Sequence, residues 1–467
     1  MIEITPLLES ENKSPLYIQL SNYIKEEISS GRIKPGEKLP SKRKLAEHLG
    51  LSINTIQTAY EQLIAEGFVE SILRKGLYIK VLEDELTHKL LEAEKRPLTR
   101  CEKSVNVEID FNSGKVDVEN FPYSLWKKTT VQSLYEDQGE LFNMGNPQGE
   151  LQLREEIAKY TYMSRGVKCT PEQIVIGAGT QVLMTLLSIL IGDNMVYALE
   201  NPGFHRTRKV LQDLGRATTL IPLDTDGINI EQLIHSGANV VYVTPSHQFP
   251  VGIIMPIKRR LELLEWAESI HGYVIEDDYD GEYRYEGKPI PSLQGLDILG
   301  KVVYMGTFSK SLIPSIRISY MVLPPILIER YKENLLLYKQ TVSRLHQDTL
   351  YRFMKEGYWQ SHLNKMRTLY RKKHSFFMQT IKKHLHNQVR VIGENSGLHL
   401  ILQVNNNWTE KELIDTALQE GVKVYPLSVY YENGSNVNSS VLLGFGGLSE
   451  KQIDIGIQLL KKAWQID

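Results

Sequence analysis

Short β-prone runs, each followed at once by polar or turn-forming residues, recur along most of this chain and constrain its fold. Helix-forming stretches such as 259–271 separate them. The alternation predicts an α/β fold, with helices packed on a mostly parallel sheet. Ligands bind such sheets at the carboxyl ends of the strands, so the polar residues after each run form the candidate site. The runs are 174–176, 196–199, 240–243, 273–275 and 301–305.

A lysine stands in a hydroxyl-rich segment directly after the last of these runs. Thr307, Ser309 and Lys310 come first, and Arg317 follows. A desolvated lysine can lose its proton and form a Schiff base with an aldehyde. An arginine beside hydroxyl groups can bind a phosphate. The segment predicts a site for pyridoxal 5'-phosphate (PLP), although a serine–lysine pair alone is more typical of a surface turn.

Glycines mark the turn after the first predicted strand. Gly177 and Gly179 precede a predicted helix at 182–190, where backbone N–H groups can face an anion. A dinucleotide-binding turn is the alternative, because Glu200 ends the next strand at a suitable distance. Val182 stands where that alternative requires its third glycine.

Two further residues match the needs of PLP. The cofactor requires an acid to keep its pyridine nitrogen protonated, and Asp277 follows the strand at 273–275. It also requires an aromatic ring over its face, for which Phe204 is suited. Phe204, Asp277 and Lys310 occur in this order, each after a predicted strand.

The first 80 residues follow a different pattern, that of short capped helices. Helical spacing predicts helices at 17–29, 42–49 and 54–66, with Ser41 and Ser52 at the N-caps of the second and third. Two short helices joined by a glycine-containing turn are typical of a helix-turn-helix. A generic three-helix packing module is the alternative.

A predicted β pair follows these helices. Its strands are 68–71 and 77–80, and Arg74 and Lys75 lie in the turn between them. Such a turn can act as a wing that reaches a phosphate or the minor groove.

Three segments of this part resemble the GntR family of winged helix-turn-helix regulators. They are SPLY (14–17), LPSKRKLA (39–46) and AYEQL (59–63). The resemblance implies DNA contacts from Arg43 and from residues that open the recognition helix. Ile53 departs from a common family arginine, and the wing is short. The predicted DNA-binding residues are Ser41, Arg43, Ser52, Asn54, Thr55, Arg74 and Lys75.

Residues 109–467 resemble the fold type I, aspartate-aminotransferase-like PLP proteins. The motifs are HQFPVG (247–252), EDDYD (276–280) and SKSLIPSIR (309–317). Together with the GntR-like head, the chain resembles the MocR/GabR subfamily of transcriptional regulators. The resemblance implies that Lys310 carries PLP, that Asp277 pairs with the pyridine nitrogen, and that Tyr279 lies by the ring hydroxyl.

The same resemblance implies the remaining site residues. Phe204 is expected to stack on the ring. The expected phosphate contacts are Gly179, Thr180, Gln181, Thr307, Ser309 and Arg317. The expected effector contacts are Arg206, His247 and Gln248.

Three positions depart from the pattern of working aminotransferases. Met144 stands where relatives often have a tyrosine that reaches the partner's phosphate. Phe249 stands where aminotransferases commonly place an asparagine beside the ring hydroxyl. Leu442 falls near the arginine that binds the α-carboxylate. All three favour little or no full transaminase turnover.

The predicted organisation has three parts. Residues 1–80 form the winged helix-turn-helix domain, 81–108 a linker, and 109–467 the PLP-binding effector domain. Within the last, about 389–467 form a small α+β subdomain.

Composition excludes several classes of protein. The formal net charge of -2 argues against a globally basic nucleic-acid coat but not against a small DNA-binding domain. Cys101 and Cys169 cannot form a disulfide framework, and nothing near them has metal-ligand spacing. No metal site is therefore expected. Without a signal peptide or an apolar run of membrane-spanning length, the expected location is the cytoplasm.

The resemblance implies a one-component transcriptional regulator. It would bind promoter DNA as a domain-swapped homodimer and sense an amine or amino acid, or PLP itself, through aldimine chemistry at Lys310. A competent aminotransferase that carries a DNA-binding head is the alternative.

Overall fold

The computed structural model describes residues 4–6, 14–80, 107–136, 139–285, 290–334, 336–432 and 439–466 of the 467-residue chain. The chain divides into two compact units, Met1–Ser104 and Val105–Asp467. The predicted linker lies outside the described residues except for its last two positions. Within the described ranges, no helix is long and apolar enough to cross a membrane.

The first unit is a three-helix bundle with a β-hairpin, which confirms the predicted winged helix-turn-helix. Ser41 accepts a hydrogen bond from the Lys44 backbone N–H at 3.3 Å, and Ser52 accepts one from Thr55 at 3.1 Å. These two caps satisfy N–H groups that begin the second and third helices. The elements are α1 (Leu16–Ser29), α2 (Lys42–Leu49), α3 (Ile53–Ala65), β1 (Val69–Ile72) and β2 (Gly76–Ile79).

Apolar residues at helical spacing hold this unit together. Leu20 and Ile24 of α1 and Ile56 and Leu63 of α3 are fully buried in one core. Burial of such a side chain contributes about 1.5–3 kcal/mol.

An eight-stranded sheet forms the centre of the second unit, in the order β4-β11-β10-β9-β8-β5-β6-β7. The neighbouring pairs from β10 to β6 are parallel, whereas β11 and β7 run antiparallel to their neighbours. The prediction of an α/β fold with a mostly parallel sheet is confirmed. The strands are β4 (Ile174–Gly177), β5 (Val196–Asn201), β6 (Ala217–Asp224), β7 (Gly227–Ile228), β8 (Val240–Val243), β9 (Tyr273–Asp278), β10 (Val302–Thr307) and β11 (Ser319–Val322).

Helices cover both faces of this sheet, because its strands are apolar on both sides. Separate apolar cores on the two faces contain alternate residues of the same strands, such as Val303 and Tyr304 of β10. The helices of the chain from 123 to 355 are α4 (Tyr123–Glu136), α5 (Leu151–Arg165), α6 (Thr180–Ile191), α7 (His205–Asp213), α8 (Ile230–His235), α9 (Ile257–Ser269), α10 (Pro325–Asn334) and α11 (Arg344–Lys355).

A small subdomain completes the second unit. Its antiparallel sheet has the order β12-β13-β16-β15, and β3 pairs with β14 beside it. Its core also contains Ile109 and Phe111 from the start of the unit and Phe377 from the long helix α12. The elements are β3 (Ile109–Asp110), α12 (Tyr358–Leu385), β12 (Val389–Ile392), β13 (His399–Val404), α13 (Glu410–Gln419), β14 (Val422–Lys423), β15 (Tyr425–Pro426), β16 (Ser440–Gly444) and α14 (Glu450–Ala463).

Candidate functional site

The carboxyl ends of β9 and β10 bring the predicted acid and lysine to the same edge of the sheet. The two strands are parallel neighbours, and Asp277 is aligned with Met305. Asp277 lies within β9, which extends to Asp278. Lys310 follows three residues after the end of β10.

Lys310 lies in an environment that favours its neutral amine. Burial lowers the pKa of the Lys310 amine, and Arg206 acts in the same direction, whereas Asp280 opposes both. Its Nζ donates a hydrogen bond to the Ser113 carbonyl. A lysine with a lowered pKa can act as a nucleophile near neutral pH.

Asp277 is buried with one of its two oxygens unsatisfied. Oδ2 accepts a hydrogen bond from the Tyr242 hydroxyl, and Oδ1 has no partner among the described residues. Burial raises the pKa of Asp277 to about 7. A buried acceptor of this kind normally has a donor, so the site fits a ligand with a protonated nitrogen.

The start of α6 carries the residues expected to bind the phosphate group. Gly179 precedes the helix with φ of 100°, and a Cβ at this position would overlap the Arg317 guanidinium. Arg317 donates to the Ala178 carbonyl at 3.0 Å. Thr180 and Gln181 form the first turn of α6, where N–H groups attract anions. The structure therefore brings a glycine, an arginine and a helix N-terminus together.

The hydroxyls expected to contact phosphate are partly engaged within the protein. Thr307 Oγ1 accepts the Ser309 backbone N–H at 3.2 Å and the Ser319 hydroxyl at 2.8 Å. Thr307 keeps its own proton for another acceptor.

Phe204, Phe249 and Tyr279 pack together as an aromatic wall, and Tyr279 follows Asp277 by two residues in the chain. The Phe204 ring stacks on the Phe249 ring with centroids 4.3 Å apart, and Tyr279 meets Phe204 edge to face at 5.1 Å. Leu442, from β16 of the small subdomain, is buried in the same cluster. Leu442 and Phe249 thus contribute apolar side chains to one buried cluster.

His247 and Gln248 face different partners. His247 Nδ1 lies 3.0 Å from both carboxylate oxygens of Asp280 and 2.9 Å from the Tyr279 hydroxyl. The Gln248 amide donates to the carbonyls of Pro202 and Phe249, at 2.9 and 2.6 Å. Gln248 therefore contributes to the loop's own structure through these bonds.

His399, which the sequence analysis missed, completes this part of the site. It opens β13, it is buried, and its ring lies 5.0 Å from that of His247. With Asp280 the two histidines present ligand atoms within 4.8 Å of one another. The available signal was a histidine in the otherwise apolar run 398–402.

Two other predicted positions are exposed. Arg206, in the first turn of α7, is exposed but close enough to Lys310 to affect its pKa. Met144 is largely exposed and contacts solvent in the single chain.

The predicted DNA-binding residues divide into two groups. Ser41 and Ser52 are helix caps, and Thr55 is half-buried with its hydroxyl 2.9 Å from that of Ser52. The remaining side chains, Arg43, Asn54, Arg74 and Lys75, are exposed. Leu73 at the hairpin turn is also exposed and was not predicted.

Comparison with known proteins gives matches over nearly the whole chain. Residues 106–460 match the family described as aminotransferase class I and II, and 16–79 match bacterial regulatory proteins, gntR family. The "Uncharacterized HTH-type transcriptional regulator YdeL" of Bacillus subtilis (strain 168) is 46% identical over 100% of both chains. The "Probable rhizopine catabolism regulatory protein MocR" of Rhizobium meliloti is 31% identical, over 98% of this chain and 95% of that protein.

Solved structures share the fold of the larger unit. The crystal structure of an archaeal alanine:glyoxylate aminotransferase has a TM-score of 0.70 and 25% identity, and the match covers 82% of this chain and 94% of that one.

Proposed function

The chain belongs to the GntR-family bacterial regulators that carry an aminotransferase class I and II domain, the group that includes MocR, and we propose a function on this basis. It is a PLP-containing sensor of amines that regulates transcription. Its first unit would bind promoter DNA, and its second would bind cofactor and effector. The observation that carries the cofactor assignment is the unsatisfied, buried Oδ1 of Asp277, on the strand next to the one that precedes Lys310.

The residues of the site fit PLP. Asp277 would hold the pyridine nitrogen, Lys310 the aldehyde carbon, and Arg317 with the start of α6 the phosphate. The Tyr279 hydroxyl, which keeps its proton if His247 donates to Asp280, would lie by the ring hydroxyl. Bound PLP supplies an aldehyde that condenses reversibly with amines. Burial of Lys310 lowers the pKa of its amine, which favours exchange with an incoming amine.

The apolar side chains in the wall of this site support effector sensing rather than transaminase turnover. Leu442, near the position where the resemblance implies a carboxylate-binding arginine, is fully buried among apolar neighbours and offers no charge to an α-carboxylate. Phe249 packs its ring on Phe204 and offers no amide to the cofactor. A site that binds an amine but holds its carboxylate weakly favours binding over the transaminase cycle.

An effector can regulate DNA binding only through different affinities for two states of the protein. We propose a homodimer as the regulated species, because the larger unit exposes several large apolar side chains, as subunit interfaces do. These include Tyr135, Phe142, Met144, Met163 and Leu337.

Operator binding in the presence and absence of effector amines tests the proposal. Lys310→Ala should abolish the effect of amines on operator affinity while the protein still binds the operator. Lys301→Ala is the matched control, since Lys301 precedes the other end of the same strand. An amine effect that persists in Lys310→Ala would refute sensing at this lysine.

A further inference from the structure

Two buried histidines from different parts of the second unit lie with their ring centroids 5.0 Å apart. His247 is 2% exposed and His399 4%. His247 belongs to the segment after β8, and His399 begins β13 of the small subdomain. Neither Nε2 has a hydrogen-bond partner among the described residues.

The neighbours of these rings define which nitrogen carries the proton. His247 Nδ1 lies 3.0 Å from both oxygens of Asp280, and a carboxylate only accepts hydrogen bonds. His399 hydrogen-bonds the carbonyl of Pro250, and its Nε2 is unpartnered, so Nδ1 makes this bond. In the neutral form of each ring, the proton therefore lies on Nδ1 and the lone pair on Nε2.

His399 stays neutral in this environment. Burial lowers the pKa of His399 well below its ordinary value. The two Nε2 atoms form a buried pair of acceptors, with Asp280 behind one of them. Buried acceptors are normally satisfied, so this pair calls for a hydrogen-bond donor from outside the chain.

The acceptor pair lies where the small subdomain meets the rest of the second unit. A Cβ at Gly397 would overlap the His247 ring and would lie 2.6 Å from Asp280 Oδ2, so the backbone just before β13 packs directly on the histidine–aspartate pair. His247 Nδ1 also lies 2.9 Å from the hydroxyl of Tyr279, which under the proposed function lies by the ring hydroxyl of the cofactor. The acceptor pair would therefore adjoin an effector that reacts with this cofactor.

The surrounding wall is apolar. The His399 ring lies 5.1 Å from the Phe249 ring, and Phe249 packs with Tyr279 and Leu442. A hydrogen-bond donor that reaches the acceptor pair must therefore stand at the end of an apolar segment of the ligand, which can pack against this wall.

We propose that His247 and His399 receive a second donor group of the effector, an ammonium or a hydroxyl, at the end of an otherwise apolar chain. This inference rests on the proposed function, since it requires an effector amine that reacts at Lys310. With an ammonium as the second donor, the effector is a diamine or a diamino acid. With a hydroxyl, it is an amino alcohol or a hydroxy amino acid.

Matched pairs of amino acids test the inference in the full-length, PLP-loaded protein. The pairs are homoserine against 2-aminobutyrate, ornithine against norvaline, and lysine against norleucine, and both enantiomers of each compound are tested. Both members of a pair share the carboxylate and amine, so only the terminal donor differs. The readout is the concentration that half-saturates the change in the Lys310-dependent absorption band.

The expected result is a preference of at least about tenfold for the donor-bearing member of one pair, which corresponds to about 1.4 kcal/mol. His399→Phe should remove the preference and leave the plain member unchanged, whereas His399→Gln, which keeps an acceptor, should retain part of it. His384→Gln is the control, because His384 hydrogen-bonds Asp454 far along α12.

Three outcomes would overturn the inference. One is equal half-saturation within every pair. Another is a preference that survives in His399→Phe. The third is stoichiometric zinc in the purified protein that His399→Phe removes, since the acceptors would then be metal ligands. A chain that shows no Lys310-dependent band with added PLP would refute the proposed function itself.

Discussion

Replacing Asp277 by asparagine should stabilise the cofactor-free protein at alkaline pH and abolish its binding of PLP. Asp277 is buried, and its pKa is raised from the usual 3.8 to about 7. The folded state therefore holds a proton that the unfolded state releases between these two pH values. Stability falls as pH rises across this window and stays low above it.

The size of the effect follows from two opposing contributions. At about 1.36 kcal/mol for each pH unit, the ionised carboxylate at pH 8 costs roughly 4 kcal/mol. Asparagine removes this cost and keeps an oxygen for the Tyr242 hydroxyl. It leaves an amide group where Oδ1 was unpartnered, which costs about 1–3 kcal/mol. The net gain expected at pH 8 is about 1–3 kcal/mol.

Thermal unfolding of the cofactor-free proteins at pH 5 and pH 8 measures this effect. The Asp277→Asn variant should unfold a few degrees above the wild type at pH 8, and the difference should shrink or reverse at pH 5. Asp226→Asn, on an exposed turn, should show no such dependence. A variant less stable than the wild type at pH 8, or a difference independent of pH, would show that the buried charge of Asp277 does not limit stability.

Other substitutions test separate parts of the account. Arg43→Ala should weaken operator binding by about 1–3 kcal/mol in mobility-shift titrations, whereas Arg32→Ala, already paired with Glu27, should not. Gly179→Ala should reduce PLP affinity, because its Cβ would overlap the Arg317 guanidinium. Gly192→Ala has a similar φ at the other end of α6 and open space around it, so it should affect stability alone. Leu442→Ala should destabilise the second unit by about 2–5 kcal/mol in thermal unfolding, since it opens a cavity in a buried cluster.

Much of the fold was predictable because local signals agreed with it. Serines at the caps of α2 and α3, and apolar runs that end in polar residues, predicted elements to within a few positions. Short motifs predicted that the chain belongs with the GntR and MocR regulators, and the comparisons confirm this prediction.

The parts of the site that the sequence did not reveal depend on contacts between distant segments. His399 lies 152 positions after His247 (399 − 247 = 152), and their proximity depends on how the small subdomain packs. The Tyr242 hydroxyl reaches Asp277 from a neighbouring strand, which periodicity cannot indicate. The packing of Phe204 on Phe249 is likewise a property of the folded wall.

The visible absorption spectrum of the purified, full-length protein with added PLP shows whether Lys310 holds the cofactor. We expect a band in the wild type and in Lys301→Ala that is absent in Lys310→Ala and that shifts when an effector amine is added. A band of equal intensity in Lys310→Ala, or no band in the wild type, would contradict the assignment of Lys310 as the residue that holds the cofactor.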